Sequence, residues 1–281
     1  MSHQYAPVAP LNILHQLDEF KMLGHYQLLI APIVLDHIEQ YRDFFGDRSK
    51  RTDQLIIMDN GVIELGYPLE PIDLYKAAVI TRASVIVLPD TIDDADYTVK
   101  QTRHAIEAFT HLRMPQLHRP VQLMGVVQGT TLEECISCAT RQVEAGVDWL
   151  AVPRGLTPNL GSRVQLTVVL AEAFGLPIHV LGFSDNIADD IATATSHDLV
   201  WGIDAATPTW LRERLPLHPP SDPAISQAWG RRPANFWASW PQTQNVLGSN
   251  VGTVRRWLKD AGRARTERDL RVDPQGHSMQ Q

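Results

Sequence analysis

The feature that most constrains this chain is a recurring short apolar run rich in β-branched residues. Such runs occur at Leu28 to Ile33, Leu55 to Met58, Val85 to Leu88, Leu123 to Val127, Trp149 to Val152, Ile178 to Leu181 and Leu199 to Ile203. A run that is apolar on both faces reads as a strand buried on both sides, the pattern of parallel sheets. Longer segments between the runs carry the helical period: Asp36 to Phe45, Ile72 to Thr81, Ala95 to Thr110, Leu132 to Ala145, Val164 to Phe174 and Ala188 to Ala194. Parallel neighbours cannot be joined by a tight hairpin, so each crossover has to hold a helix. The alternation therefore predicts a parallel sheet covered by helices.

Seven strand–helix units favour a closed barrel over an open doubly wound sheet. No Gly-rich phosphate fingerprint follows the first run, which argues against a dinucleotide fold. The expected fold is an α/β (β/α)8 TIM-type barrel occupying residues 1–215. Breaks in regular structure at LHPPSDP and GRRP mark a C-terminal extension over 216–281, without a zinc subdomain. The extension is expected to complete the barrel with an eighth strand at Phe236 to Trp240 and to end in a basic helix and tail.

Composition removes several classes. With 44% apolar and 20% charged residues the chain is globular, neither disordered nor fibrous. The N-terminus has no basic segment leading into an apolar core, and nothing approaches the ~18 apolar residues of a membrane span. A cytoplasmic protein without membrane partners is expected. Two cysteines cannot form a disulfide scaffold in a chain this long. Cys135 and Cys138 lie inside a helix-like segment and read as small buried residues. No His has ligand spacing, and His179 and His197 read as structural, so no metal and no cofactor is expected.

A net charge of −7 argues against coating nucleic acid by charge alone. Arg255, Arg256, Lys259, Arg263, Arg265, Arg268 and Arg271 nevertheless form a local basic stretch, either a phosphate-facing patch or a solvated helix face. Trp237, Trp240 and Trp257 pack either within the chain or against a second copy, which leaves a homodimer open.

Barrel enzymes carry their working residues at the C-terminal ends of strands. Asp59 ends LIIMDNG, Asp90 ends VIVLPDT, Asp204 ends LVWGID, and Gln128 follows MGVV. Any one Asp after a strand is accounted for by a helix cap. Three together at one barrel mouth need a task, because a carboxylate without a partner is costly there. Asn60-Gly61 after Asp59 is a tight-turn pair that aims the Asp59 side chain inward.

The ordered series MDNG, LPDT, GVVQG, GVDWLAV, VLGFS and GID, from Leu55 to Asp204, resembles the tRNA-guanine transglycosylase family, which exchanges guanine in a polynucleotide for a 7-deazaguanine. The resemblance implies that Asp204 is the nucleophile that attacks the sugar C1′ and carries a covalent glycosyl intermediate. It implies that Asp59 is the general acid/base for the departing and incoming bases. Asp90 and Gln128 would read the guanine-like edge, with Asn60, Gly61, Arg154, Gly155, Gly182 and Phe183 lining the same site.

The departures from the family matter as much. Asn60, Gly61, Val62 and Ile63 stand where the family has glycines and a stacking aromatic, so stacking is expected from Phe183 or Leu181 instead. Pro153-Arg154-Gly155-Leu156 replaces a Gly-Gly loop, and Arg154 there would meet a phosphate or a base substituent. The family's C-terminal zinc site is absent, since no Cys follows Cys138. A short chain without that site is similar to the phage and bacterial 7-deazaguanine DNA transglycosylases, which implies a pentosyltransferase acting on guanine-containing DNA with a preQ0-like base. If phage-encoded, it would work in the host cytoplasm. The target guanine would have to leave the stack. Loops at Gly46 to Arg51 and His111 to Arg119 and the C-terminal arginines are the expected backbone contacts. Alternatives are a tRNA substrate, a barrel N-glycoside hydrolase, a metal-dependent barrel hydrolase, and a non-catalytic nucleic-acid-binding subunit.

Overall fold

The strand that completes the sheet is the one with the weakest sequence signal. The computed structural model describes residues 3–46, 54–111, 121–222, 224–225, 236 and 244–272. Its first strand, β1 (Gln4–Pro7), pairs in parallel with β8 (Val200–Ala205), Ala6 opposite Asp204. β1 has no β-branched residue, so nothing in its own pattern marks it. Pairing with β8 and the burial of Tyr5 and Ala6 hold it in place. The expectation of an eighth strand at Phe236 to Trp240 is corrected: Phe236 lies in a turn, and residues 237–240 lie outside the described residues.

The other strands are β2 (Tyr26–Ile30), β3 (Leu55–Asp59), β4 (Val85–Val87), β5 (Gln122–Val126), β6 (Trp149–Pro153) and β7 (Ile178–Leu181). They run parallel in the order β1-β8-β7-β6-β5-β4-β3-β2. Because β1 also lies beside β2, the sheet curls into a nearly closed barrel alternating with helices, the (β/α)8 TIM-type architecture.

β2 stops before the end of the Leu28 to Ile33 run. Pro32 occupies the first turn of α2 (Ala31–Asp36), where its missing N–H costs nothing and its fixed φ suits a helix start. Ile33 and Val34 are buried from that helix instead, and α3 (Ile38–Phe45) follows. The short α4 (Val62–Leu65) and longer α5 (Pro71–Thr81) connect β3 to β4, and α6 (Ala95–His111) connects β4 to β5. α1 (Leu11–Glu19) follows β1.

Helix α7 (Leu132–Ala145) shows how local chemistry sets these elements. The Thr131 hydroxyl accepts from Glu134 N at 3.2 Å, while the Glu134 carboxylate accepts from Thr130 N at 2.8 Å. Gly146, at φ +99°, ends the helix in a conformation that L side chains avoid. Cys135, Cys138, Ala139 and Gln142 recur at helical spacing and form the buried face. Thr131→Ala would remove the cap at a cost of about 1 kcal/mol. After β6 come a 3-10 turn (Arg154–Leu156), α8 (Thr157–Leu160) and α9 (Val164–Phe174), and after β7 comes α10 (Ile187–Ala194).

Among the described residues, the C-terminal region contributes a helix to the barrel rather than a strand. After β8 and α11 (Thr207–Trp210), α12 (Gln244–Val272) buries Leu247, Val251, Val254 and Leu258 at helical spacing. Near its start Asn250 bonds Glu213 O at 2.9 Å and Leu215 N at 2.8 Å, both in the connection that follows β8. Trp257 donates to Leu217 O at 2.9 Å, so it packs within the chain. Arg255 donates to Met22 O at 2.9 Å, and Arg265 pairs with Asp198, just before β2 and β8 respectively. The helix thus runs back toward the N-terminal ends of the strands.

That direction sets the basic stretch, read from the sequence as either a phosphate-facing patch or a solvated helix face, away from the mouth. Arg255 and Arg265 brace loops at the opposite face, and Arg256, Lys259 and Arg263 are exposed on the same half of the helix. Arg268 and Arg271 have side chains outside the described residues, as do most of the loops at Gly46 to Arg51 and His111 to Arg119. Among the described residues, no helix is long and apolar enough to cross a membrane.

Candidate active site

Parallel strands in a barrel all end on one face, so residues at or just after those ends converge. Asp59 is the last residue of β3, Asp204 the second-last of β8, and Asp90 and Gln128 follow β4 and β5. Gly182 and Arg154 follow β7 and β6.

Asp90, Asn60 and Gln128 form one buried cluster. Asp90 Oδ1 accepts from Asn60 Nδ2 at 2.7 Å, and Oδ2 accepts from Gln128 Nε2 at 2.6 Å. Burial pushes the Asp90 carboxyl above its ordinary range, and the two amide bonds oppose that shift. Asn60 also donates to Leu88 O at 2.8 Å and accepts from Val62 N at 2.9 Å, which fixes the turn after β3. Gln128 Oε1 accepts from Asp93 N at 3.2 Å. Its backbone N–H points to Cys138 Sγ at 3.5 Å, which gives that cysteine a supporting place behind the site. A carboxylate between two amides, of which Gln128 keeps an N–H to spare while both Asn60 N–H groups are taken by Asp90 and Leu88 O, can read an edge carrying N–H and carbonyl groups.

The turn itself requires Gly61. Its φ is +75°, and a Cβ there would lie 2.5 Å from Pro32 Cγ. Proline at the start of α2 and glycine after Asp59 thus fit each other.

Asp204 sits in a different environment. His179 Nε2 and Gly182 N both lie 3.0 Å from its Oδ1. His179 is fully buried, and its Nδ1 lies 2.6 Å from the Tyr26 hydroxyl. Two donors on one oxygen are what a carboxylate removed from water needs. Sequence reasoning treated His179 as structural. It is hydrogen-bonded as a structural residue would be, but its partner is Asp204; its place on β7, two strand positions before Leu181, was the available signal.

Asp59 is half-buried, touched by solvent but crowded by protein. Desolvation pushes its carboxyl well above the usual range, and the charges of Glu64, Asp204 and Asp90 push it the same way. Glu64, on α4, was missed by sequence reasoning. Its Oε2 is buried without a hydrogen-bond partner, and desolvation raises its carboxyl while the Arg154 guanidinium opposes the rise. A glutamate five residues after a strand-end aspartate, on the turn that Asn60 fixes, was its only trace in the sequence.

No family model and no curated protein matches the chain.

The remaining expected residues divide. Arg154 is exposed, and its stem covers Gly182, whose ideal Cβ position lies 3.2 Å from Arg154 Cδ. Gly155 beside it is exposed with open space around it and has no tie to the cluster. Phe183 is corrected as a stacking surface: it packs into the hydrophobic core with 7% of its area exposed. Leu181 is half-buried. Among the described residues, the large apolar side chains that stand free after β3 and β4 are Ile63, Tyr67, Ile72, Ile92 and Tyr97. Among the described residues, no group of three or more His, Cys, Asp or Glu is placed to hold a metal ion.

Arg163 braces the loop that carries Gly182. It is fully buried and donates to Val152 O and Leu181 O at 3.1 Å, to Gly182 O at 3.0 Å and to Asp190 Oδ1 at 2.6 Å. Ser184 donates to both Asp190 oxygens at 2.7 Å. The Gly182 N–H that reaches Asp204 therefore comes from a peptide fixed on its other side.

Proposed function

We propose that the chain is a transglycosylase that exchanges guanine in DNA for a 7-deazaguanine base through a covalent Asp204–glycosyl intermediate. The observation that carries this reading is the contrast between two of its strand-end carboxylates, Asp59 and Asp204. Burial and neighbouring negative charge push the Asp59 carboxyl well above its ordinary range, whereas Asp204 accepts two hydrogen bonds on one oxygen. A raised acid beside a hydrogen-bonded carboxylate is the division of labour that substitution at an anomeric carbon requires.

In the forward half-reaction an Asp204 oxygen bonds to C1′ as the C1′–N9 bond breaks. The electron pair stays on the departing guanine, which takes the Asp59 proton. The incoming base then gives its N9 proton to Asp59, and its N9 attacks C1′, which releases the Asp204 carboxylate. Asp90, held between Asn60 and Gln128, faces the N–H edge shared by guanine and 7-deazaguanine. The choice of DNA rests on the resemblance to the short transglycosylases.

The test supplies labelled preQ0 with guanine-containing DNA and, in parallel, with unmodified tRNA, and reads incorporation by nucleoside mass spectrometry. Incorporation into DNA that disappears in Asp204→Ala is expected. Incorporation into tRNA alone would keep the chemistry and replace the substrate. Abasic sites without incorporation would make the chain a hydrolase, and no reaction on either polynucleotide would sink the reading.

A further inference from the structure

Tyr26, His179 and Asp204 form a hydrogen-bonded line across the barrel from β2 to β7 to β8. We propose that His179, held as the Nε2–H tautomer by Tyr26, is a positioning residue that leaves one Asp204 oxygen free to attack and speeds breakdown of the glycosyl intermediate. The inference rests on the transglycosylase reading and assigns a role to residues which that reading does not use.

The tautomer follows from donor counting. An ionised carboxylate can only accept, so the ring nitrogen 3.0 Å from Asp204 Oδ1 carries a hydrogen. Burial and the Asp204 charge push the Tyr26 hydroxyl well above its ordinary range, so it keeps its proton. That proton needs an acceptor, and Nδ1 at 2.6 Å supplies a lone pair only when the imidazole is neutral.

The consequence is an asymmetric nucleophile. His179 and the Gly182 N–H both engage Oδ1, and among the described residues Oδ2 has no hydrogen-bond partner. Oδ2 is then the oxygen that bonds to C1′, while Oδ1 becomes the ester carbonyl. When the incoming N9 attacks, the Oδ2–C1′ bond breaks and its electron pair returns to the carboxylate, which shares the charge with Oδ1. Hydrogen bonds to an ionised acceptor are about twice as strong as those to a neutral one. The two donors therefore favour expulsion of Asp204 over persistence of the ester.

The first measurement is the His179 tautomer, read from the ring 15N shifts of the full-length wild-type chain. Nε2–H is expected, and an Nδ1–H ring would overturn the inference whatever the activity. The second follows exchange by His179→Leu and His179→Gln, with the fraction of chain trapped as covalent adduct read by intact-protein mass spectrometry. Loss of the donor in His179→Leu should slow turnover roughly 100- to 1,000-fold and raise the trapped fraction, on the scale of one lost donor at a reacting oxygen. His179→Gln, which presents an amide N–H, should restore most of both. Tyr26→Phe combined with His179→Leu removes the orphaned hydroxyl if the single variant folds poorly. Turnover and adduct level unchanged in His179→Leu would overturn the inference. A wild-type chain that exchanges no base is a separate result and counts against the proposed function.

Discussion

Asn60 donates to Asp90 Oδ1 at 2.7 Å, so the residue next to the candidate acid/base also forms half of the clamp on the candidate base reader. Asn60→Leu would strip Asp90 of one donor and release Leu88 O and Val62 N from their bonds to the same side chain. Leaving such buried groups unpaired costs about 1–3 kcal/mol. Urea denaturation should register that loss, and the KM for the incoming base should rise, because Asp90 is then held by Gln128 alone.

Gly61 and Gly66 share left-handed backbone, at φ +75° and +79°, but differ in what surrounds them. Alanine at either position meets roughly 1–2 kcal/mol of backbone strain. At Gly66 nothing lies within 4 Å of the new Cβ, so strain is the whole effect and activity should survive. At Gly61 the Cβ would also strike Pro32, forcing the turn that places Asp59 and Asn60 to shift. Similar thermal stabilities with sharply different exchange rates, or a Gly61 variant that is also the less stable, would both agree. Equal activities would not.

The parts of the fold written in the sequence are those whose apolar runs stand alone. β3 through β8 and most of the crossover helices could be located because each buries its own β-branched or periodic face. β1 could not, since four residues containing no β-branched side chain acquire strand geometry only from β8. The strand-end residues Asp59, Asp90, Gln128 and Asp204 were legible because strand direction alone fixes the face on which they emerge. Glu64 and His179 were not, because their significance depends on which strand neighbours which. The place of the basic run on α12 was not legible for a related reason: composition shows charge but not which end of the barrel the helix reaches.

The raised Asp59 carboxyl predicts that the wild type loses stability with rising pH relative to the Asp59→Asn variant. A carboxyl whose folded pKa lies above its unfolded value favours the folded state most when both forms are protonated, below the ordinary carboxylate range. That contribution is lost as pH rises through the raised folded value. Wild-type stability should therefore fall, relative to Asp59→Asn, as pH is raised from about 4, the ordinary carboxylate pKa. Melting temperatures of the two proteins across pH would show a widening gap in favour of the inactive variant. A gap that narrows as pH rises would place Asp59 in a carboxylate-stabilising environment and remove it as the acid.

Arg163 and Asp190 are both completely buried, 2.6 Å apart. Removing one partner strands the other charge, at a typical cost of about 3–5 kcal/mol. Arg163→Met should therefore destabilise severely, and adding Asp190→Leu should recover much of the loss. Exchange activity should not return with stability, because the double variant still lacks the guanidinium bonds to Leu181 O and Gly182 O that fix the loop beside Asp204. Denaturation midpoints and exchange rates measured on the same three variants separate these contributions.

The direction of α12 makes a prediction about nucleic acid that charge alone would get wrong. Arg256, Lys259 and Arg263 are exposed on the half of the helix that reaches the N-terminal ends of the strands, whereas Arg154 is exposed beside Gly182 at the C-terminal ends. A strand whose guanine enters the mouth passes Arg154 and not α12. Each phosphate contact on single-stranded nucleic acid contributes about 0.7 to the slope of log affinity against log salt. Arg154→Gln should therefore weaken binding of a single-stranded oligonucleotide and flatten that slope by about 0.7. Triple replacement of Arg256, Lys259 and Arg263 by Gln should leave both nearly unchanged, although it removes three times the charge. Fluorescence anisotropy titrations at several salt concentrations distinguish the cases. A larger effect from the triple variant would mean that the polynucleotide wraps to the far face, and Arg154 would then remain only as the charge beside Glu64.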